Sequence, residues 1–370
     1  MRVLHIASGR LYGGIERMLV TLAEAASGRG FRFGFAVAAP GRLLDELRER
    51  GAEAHALGDV RLSRPVSLLH ARRQVRDILR GGSYAAVVCH APWSHAIFGD
   101  VARREGIPCV LWQHDAATGA SLVERASKGS GADLVICNSR WTAGSADTLQ
   151  PGVPQRIIYC PVQRRAVEAN DRAAVRESLG VAADDVVVLA ASRIEPWKGQ
   201  LELIRALATL GSRRWVLWIA GGAHRRHERD YAAAIVAEVR RLAVESRVTI
   251  LGERRDVPRL LAGADLLAQA NVSPEPFGVV FAEALLAGVP VVTTRMGGAP
   301  EIVDESCGRL VPPGNQRALA RALDDVISNR DVRKALGAAA VAHALSICDP
   351  SVVLPRLESA LLSVGIPTAA

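Results

Sequence analysis

The sequence lacks several features that would indicate a disulfide-rich, membrane-spanning or nucleic-acid-binding protein. Its six cysteines include no Cys-x-x-Cys pair, which argues against disulfide and metal roles and favours buried thiols in a reducing compartment. Aromatic residues make up only 4% of the chain and do not alternate with basic ones, so nucleic acid is not an expected partner. The longest apolar runs are strand-sized, far below the roughly 18 residues that cross a bilayer.

No targeting segment is visible, because Met1 leads directly into the apolar run Val3–Ala7. We therefore expect a cytoplasmic protein. The chain has 370 residues, of which 49% are hydrophobic and 23% charged. This composition is typical of a globular protein, and the length exceeds what one ordinary core requires, so we expect two domains.

Lysine is scarce, since only three of the 46 basic residues are lysines, at positions 128, 198 and 334. Charge is also unevenly distributed along the chain. Residues 1–165 contain 22 Lys and Arg against 14 Asp and Glu, whereas residues 166–370 contain 24 of each kind. The whole surplus of +8 therefore lies in the first part of the chain. This asymmetry suggests that the first part meets an anionic ligand or surface.

Strand-like apolar runs alternate with helical stretches, which predicts an α/β protein with parallel sheets built from βα units. The polar stretch Gln163–Asn170 separates two series of strands. We expect a first domain over residues 1–165, a second over 166–348 and a C-terminal helix over 349–370. The predicted strands lie near 3–7, 33–39, 53–57, 85–89, 108–112, 134–138 and 156–160, then near 186–192, 215–220, 247–251, 265–269, 289–294 and 308–311.

Two glutamates eight residues apart form the most informative motif. Prolines on both sides keep Glu275 in a loop, and a helix is predicted from about Gly278 to a stop at Gly288. Side chains on a helix lean toward its N-terminus, so Glu283 in the second turn is expected to face the same space as Glu275. The helix start offers free N–H groups for an anion, from Phe277, Gly278, Val279 and Val280. Two carboxylates beside an anion site suit a ligand with hydroxyls and phosphates, as in a nucleotide sugar.

Together with the Ala-Gly-Val-Pro-Val-Val that follows, this segment resembles the Glu-x7-Glu signature of retaining GT-B glycosyltransferases, and family 4 most of all. The resemblance implies two doubly wound, Rossmann-like domains facing a central cleft, with the C-terminal helix crossing back to the first domain. It also implies that Glu283 binds ribose hydroxyls and Glu275 the hydroxyls of the donor sugar. A bare Glu-x7-Glu often arises by chance, and would then be a solvated loop glutamate and a helix-surface glutamate.

A second motif, from Ser192 to Gly199, places Arg193 and Lys198 between a strand and a helix. Guanidinium and ammonium groups bind phosphate oxygens, and a helix start favours an anion as well. An exposed basic loop is the alternative, but the scarcity of lysine marks Lys198. The resemblance implies that both residues hold the donor diphosphate, where they would stabilise charge on the leaving group.

Further candidate residues follow other strands. The turn at Gly13 and Gly14 resembles the family loop that reaches donor phosphate and acceptor. His114 follows the strand 108–112, and the resemblance places a histidine here near the reacting sugar, although a lone histidine is more often structural. The resemblance also assigns Gly252 to the loop that meets the nucleobase. Weaker candidates are His90 and His95 toward the acceptor, and Gly297, Gly298, Pro300 and Glu301 near the donor.

In one place the sequence departs from the family pattern. Gln269–Ser273 stands where members often carry a Pro-Ser pair, and we expect this change to affect the acceptor-facing rim and the choice of donor sugar. No Asp-x-Asp occurs, so we predict a metal-independent enzyme without a cofactor.

The resemblance implies retaining transfer to a hydroxyl of a glycolipid, a polysaccharide precursor or a small molecule, with an anionic or lipid-linked acceptor fitting the basic first half. The alternatives are a sugar-nucleotide 2-epimerase of the same fold and a non-catalytic nucleotide-sugar-binding subunit.

The stretch Arg64–Arg80 is predicted to be a helix with arginines along one flank. An ordinary surface helix is one interpretation. The alternative is contact with an anionic acceptor or with the cytoplasmic membrane surface, where each basic residue contributes about 1 kcal/mol in a salt-sensitive way. We hypothesise weak, peripheral attachment to anionic lipid through residues Arg72, Arg73, Arg76 and Arg80.

Overall fold

A computed structural model of the chain describes residues 1–26, 30–166, 168, 170–211 and 214–364. The chain divides into two compact units. The first unit contains the residues up to Val162 and the described residues from Pro350 onward, and the second is Gln163–Asp349. Each unit is built around its own sheet.

The first unit contains a seven-stranded parallel sheet in the order β3-β2-β1-β4-β5-β6-β7. Every residue of β4 and β5 is buried, as expected for parallel strands covered on both faces. The strands are β1 Arg2–Ala7, β2 Arg32–Val37, β3 Glu53–Ala56, β4 Ala86–His90, β5 Cys109–Gln113, β6 Leu134–Cys137 and β7 Gln155–Ile157. The helices are α1 Gly14–Ala25, α2 Arg42–Glu49, α3 Pro65–Gly82, α4 Ala91–Arg104, α5 Leu122–Ser130, α6 Arg140–Ala143, α7 Ala146–Leu149 and, from the end of the chain, α16 Pro350–Leu362.

The second unit contains a six-stranded parallel sheet in the order β10-β9-β8-β11-β12-β13. Its strands are β8 Val186–Ala191, β9 Trp215–Ala220, β10 Val248–Gly252, β11 Leu266–Gln269, β12 Val291–Thr294 and β13 Gly308–Val311. Its helices are α8 Asp171–Ser178, α9 Gln200–Ala208, α10 Arg226–Arg241, α11 Val257–Gly263, α12 Val279–Leu286, α13 Ala299–Ile302, α14 Gln316–Ser328 and α15 Arg330–Cys348, with 3₁₀ turns at Pro196–Lys198 and Glu245–Arg247.

The predicted α/β fold is confirmed, and each predicted strand is present. The largest difference concerns β7, which ends at Ile157 rather than near residue 160. Among the described strands, β7 lies at the edge of its sheet and pairs with β6 alone. Beyond it, Ile158 still donates a hydrogen bond to the Cys137 carbonyl at 2.9 Å, so the chain leaves the sheet gradually.

The stretch Arg330–Leu362 is long and apolar enough to cross a membrane when judged by length and composition alone, although no continuous apolar run marks it in the sequence. A core helix of a globular protein passes the same test. Here Pro350 begins a new helix, because proline suits a first helical turn. α15 packs on α12 and α14, whereas α16 packs on α1. We therefore interpret both helices as parts of their units.

Candidate active site

The loop after β8 packs closely on the chain that follows β11. Gly199 has φ +71°, and a Cβ there would overlap the carbonyl oxygen of Ala270. The Val272 N–H donates to the Trp197 carbonyl at 2.9 Å. Only glycine allows this approach, and the approach places Lys198 beside the segment that leads to Glu275. β8 and β11 are adjacent strands, and the strand order runs in opposite directions on their two sides. Open α/β sheets bind ligands at such a reversal of strand order.

Lys198 and Glu275, predicted from separate motifs, form a buried ion pair. Lys198 Nζ lies 2.6 Å from Glu275 Oε2, and the two side chains are only 11% and 10% exposed. The ammonium group also lies 3.8 Å from the centroid of the Trp197 ring, which adds a cation–π contact. A buried charge pair needs further hydrogen bonds to offset the loss of water, and the neighbouring residues supply them.

Two amide side chains complete the coordination of Glu275. Gln269 Nε2 and Asn271 Nδ2 donate to Glu275 Oε2 at 3.0 and 3.1 Å. Within the described chain, every side-chain hydrogen bond to this carboxylate falls on Oε2, so Oε1 is the oxygen left for a ligand. In the sequence this segment differs from the family pattern, but its contacts with Glu275 were not predicted. The available signal was a pair of amides two residues apart at the end of a buried strand.

The main chain of Glu275 is fixed by the predicted glycine turn after β12. Glu275 forms an isolated parallel bridge with Gly297, and the Gly298 N–H donates to the Glu275 carbonyl at 2.7 Å. Gly297 has φ +65°, and a Cβ there would overlap the Glu275 carbonyl oxygen. The structure therefore brings this turn and the Glu275 loop together.

The helix α12 begins and ends where the sequence predicted. Gly278 is its N-cap with φ +91°, and Gly288 follows its end with φ +74°. No described side chain caps the helix start, so the N–H groups of Val279 and Val280 are available for an anion. Phe277 and Gly278 are buried, and Glu283 lies half-buried in the second turn.

Arg193 is held by Glu195, a residue that was not among the predicted site residues. Its guanidinium lies 2.9 Å from Glu195 Oε1, and Trp197 Nε1 donates to Glu195 Oε2 at 2.7 Å. Glu195 is buried and connects the Arg193 loop to the ring that contacts Lys198. An acidic residue between two basic ones was the signal in the sequence.

Gly252 ends β10, at the same carboxyl-end edge of the sheet. Its φ is +68° and its carbonyl accepts a hydrogen bond from the Gly221 N–H at 2.8 Å. The space around its Cα is open, so the backbone conformation, rather than crowding, favours glycine here.

The remaining candidates belong to the first unit. Gly13 has an extended backbone with φ −154°, and its N–H donates to Glu16 Oε2 at 2.9 Å. The Gly13 N–H is thus already bound by a carboxylate, which argues against a phosphate contact at this N–H, and Gly14 is the first residue of α1.

The three histidine candidates separate into two environments. His114 Nε2 lies 3.0 Å from His90 Nδ1, and burial lowers the pKa of His114 to about 3. His95 instead contacts the Ser127 hydroxyl and the Gly131 carbonyl, at 2.9 and 3.1 Å. The structure therefore joins His90 to His114 and leaves His95 as a core residue of α4.

One group of potential metal ligands, Asp304, Cys307 and His343, occurs within the described part of the chain. Asp304 Oδ1 accepts a hydrogen bond from the Ser306 N–H at 2.9 Å, and its Oδ2 lies 3.5 Å from His343 Nδ1. A capped turn and a histidine–carboxylate contact account for these distances. Burial raises the pKa of the Cys307 thiol to about 11.

Comparisons with known proteins show the family of the chain. The family "Glycosyltransferase Family 4" matches residues 12–164, and "Glycosyl transferases group 1" matches residues 171–343. The GDP-mannose-dependent alpha-(1-6)-phosphatidylinositol monomannoside mannosyltransferase of Mycolicibacterium smegmatis is 31% identical over 271 residues, which are 66% of this chain and 67% of that relative. The D-inositol 3-phosphate glycosyltransferase of Saccharomonospora viridis is 31% identical over 58% of this chain and 52% of that protein. The chain thus spans about half the length of the D-inositol 3-phosphate glycosyltransferases it matches.

Solved structures give the same result. Anabaena Alr3699/HepE in complex with UDP and glucose matches with a TM-score of 0.86 and 26% identity, covering 98% of this chain and 100% of that one. WaaG, a glycosyltransferase involved in lipopolysaccharide biosynthesis, shares the fold with a TM-score of 0.73 at 18% identity over 99% of this chain and all of its own. The chain therefore belongs to family 4 of the GT-B glycosyltransferases.

Proposed function

We propose that this protein is a retaining, metal-independent glycosyltransferase that moves a sugar from a nucleoside-diphosphate sugar to a hydroxyl acceptor. The observation that carries the proposal is the buried Lys198–Glu275 pair, which lies between β8 and β11. The Anabaena structure that contains UDP and glucose, and the relative named as GDP-mannose-dependent, support a nucleotide-sugar donor.

In this proposal, cations and helix N–H groups hold the donor diphosphate. Lys198 and Arg193 neutralise charge on the departing phosphate, with the N–H groups of Val279 and Val280 beside them. Two fixed cations and a helix start do the work of a divalent ion, so no metal or other cofactor is required. The Gly252 loop contacts the base.

The two glutamates bind hydroxyl groups. Glu275 Oε1 accepts from the donor sugar, because Oε2 is already occupied by Lys198 and two amides. Glu283 accepts from the ribose. Three hydrogen bonds on Oε2 make the Glu275 carboxylate a weak nucleophile, which favours a binding role over a covalent glycosyl intermediate.

Retention then follows from attack on the face that the diphosphate leaves. The acceptor oxygen forms a bond to the anomeric carbon while the carbon–oxygen bond to the diphosphate breaks. The acceptor proton passes to an oxygen of the departing phosphate, and the products are a glycoside and a nucleoside diphosphate. His114 contacts the reacting sugar in this scheme.

Product analysis with a panel of UDP-, GDP- and ADP-sugars tests the proposal. We expect release of nucleoside diphosphate, unchanged by EDTA, and an α-configured product from an α-configured donor. A 2-epimerised sugar nucleotide would instead identify an epimerase, and binding without turnover would identify a non-catalytic subunit. Lys198→Ala serves as the low-activity control.

We also propose peripheral contact with an anionic membrane on its cytoplasmic face, which suits a lipid-linked acceptor. Leu62, Val66 and Leu69 are 50%, 80% and 60% exposed around the start of α3. Exposed apolar residues next to basic ones are typical of membrane-surface helices.

The arginines predicted for this contact are partly occupied within the protein. Arg72 makes two hydrogen bonds to the Asp100 carboxylate, at 2.8 and 2.6 Å, and Arg80 pairs with Glu105 at 2.8 Å. These two arginines attach α3 to α4 and its following residue. The lipid contact is therefore assigned to the apolar residues and to the exposed Arg73.

A further inference from the structure

Three histidines from neighbouring strands form a continuous chain of imidazole rings in the first unit. His5 lies in β1, His90 ends β4 and His114 follows β5. His5 Nδ1 is 2.9 Å from His90 Nε2, and His90 Nδ1 is 3.0 Å from His114 Nε2. Successive rings are nearly parallel, with interplanar angles of 26° and 17°, and they meet edge to edge with centroids 5.2 and 5.3 Å apart. All three residues are buried.

A neutral imidazole has one N–H donor and one bare nitrogen. Each contact in the chain needs one proton, so the tautomer of one ring determines the tautomers of the other two. Burial lowers the pKa of His5 and of His114 to about 3, and burial and the two neighbouring histidines lower the pKa of His90 well below its usual value. The rings are therefore neutral near pH 7.

The two ends of this chain of imidazole rings, His5 and His114, differ in their surroundings. His5 Nε2 is sealed from solvent and has no hydrogen-bond partner within the described residues. It lies beside Phe33 and Phe35, whose ring centroids are 4.8 and 5.6 Å from that of His5. His114 Nδ1 makes no hydrogen bond within the described chain, but it is not among the sealed atoms. The open end is thus the nitrogen of the histidine predicted to meet the sugar.

We propose that His5 and His90 are positioning residues that hold His114 in the Nε2–H tautomer, with the bare Nδ1 presented to a sugar hydroxyl. In this direction His114 Nε2–H donates to His90 Nδ1, and His90 Nε2–H donates to His5 Nδ1. All three rings then adopt the Nε2–H form, which is the intrinsically favoured tautomer of neutral histidine. The opposite direction requires three rings in the less favoured form.

This proposal rests on the proposed function for its substrate, and it gives a role to two histidines, His5 and His90, that are buried in the core. A bare Nδ1 accepts a hydrogen bond from a sugar hydroxyl and places electron density near the developing positive charge of the sugar. Without His90, His114 Nε2–H loses its buried acceptor, and the ring is free to change tautomer or rotate. Small misplacements of such groups reduce rates by up to about a hundredfold.

Long-range proton–nitrogen NMR spectra of the donor-free, ¹⁵N-histidine-labelled protein test the proposal. Signals are assigned from single histidine variants. We expect the Nε2–H pattern at His5, His90 and His114 in the wild type. In His90→Leu, His114 should show a mixed or Nδ1–H pattern. His90→Gln, which offers one acceptor and one donor, should restore the wild-type pattern at His114. His95→Gln is the matched control, since His95 is buried but does not belong to the chain of imidazole rings.

Kinetics add a second readout. His90→Leu should lower kcat by tenfold or more, up to about a hundredfold, with little change in the KM for the donor, and His90→Gln should recover most of the rate. An Nδ1–H pattern at His114 in the wild type would overturn the proposed direction. An unchanged His114 pattern in folded His90→Leu would overturn the positioning role. The spectra need no substrate, so they decide this proposal independently of turnover. If the wild type releases no nucleoside diphosphate, that result counts against the proposed function alone.

Discussion

The Lys198–Glu275 pair offers the sharpest test of the site, because one contact is expected to affect both stability and turnover. Lys198→Met keeps most of the side-chain volume but removes the charge. Removing one member of a buried ion pair typically costs about 3–5 kcal/mol. Glu275 keeps its bonds from Gln269 and Asn271, so we expect a loss near the lower limit, about 3 kcal/mol in the free energy of unfolding.

A double-mutant cycle isolates the pair from other effects of each substitution. Glu275→Gln leaves a buried ammonium without its carboxylate and should cost a similar amount. In the double variant both charges are gone, and we expect the combined loss to be smaller than the sum by about 2 kcal/mol. Lys334→Met is the control, because Lys334 is exposed on α15 and should change stability little.

Thermal and urea denaturation measure the four stabilities, and release of nucleoside diphosphate measures turnover. Lys198→Met should reduce turnover on the order of a hundredfold, because its charge acts on the leaving group. Additive losses within about 0.5 kcal/mol would refute the buried pair. Turnover within twofold of the wild type would refute the assignment of Lys198 to the diphosphate.

Three further outcomes are expected. Glu283→Ala should weaken binding of both the nucleotide sugar and the free nucleoside diphosphate, and unchanged calorimetric affinity would remove Glu283 from the ribose. Val66→Ser/Leu69→Ser should reduce co-sedimentation with anionic vesicles at low salt. The control Val236→Ser, at a residue of α10 that is 38% exposed, should not. If the wild type and both variants pellet equally, α3 is a surface helix without a lipid contact. Burial raises the pKa of Glu53, but hydrogen bonds from Arg2, Tyr84 and His55 outweigh it and bring the pKa to about 2. Stability from this carboxylate is thus present above its unfolded pKa near 4.5 and is lost as pH falls toward 2, so Glu53→Gln should flatten the acid side of the stability profile measured by denaturation.

The fold was largely predictable from the sequence, because buried parallel strands leave continuous apolar runs. The bounds of α12 were predictable for a different reason. Gly278 and Gly288 both adopt positive φ, a conformation that glycine tolerates best. These are local properties, readable without knowing which segments become neighbours.

The side-chain partners were not predictable, because they depend on the order of strands in a sheet. Gln269 ends the strand that leads into the Glu275 loop, yet Lys198, 77 residues before Glu275 in the chain, completes the cluster. The charges of Arg72 and Asp100 are evident in the sequence, but their pairing requires the packing of α3 on α4. The charge pattern alone therefore predicted that Arg72 contacts anionic lipid, whereas its guanidinium group binds the Asp100 carboxylate.

The two units place their polar clusters at equivalent positions in their sheets. In each sheet the first strand of the series lies between a strand that follows it directly and a strand from later in the chain. In the second unit Lys198 follows β8 and Gln269 ends β11, and in the first unit His5 lies in β1 and His90 ends β4. The polar side chains pair across these two strand junctions, β8–β11 and β1–β4. A doubly wound sheet leaves a crevice at this junction because the connecting helices turn away to opposite sides. Polar groups at this junction can be fixed by hydrogen bonds to neighbouring residues and still leave one atom for a ligand, as Glu275 Oε1 and His114 Nδ1 do.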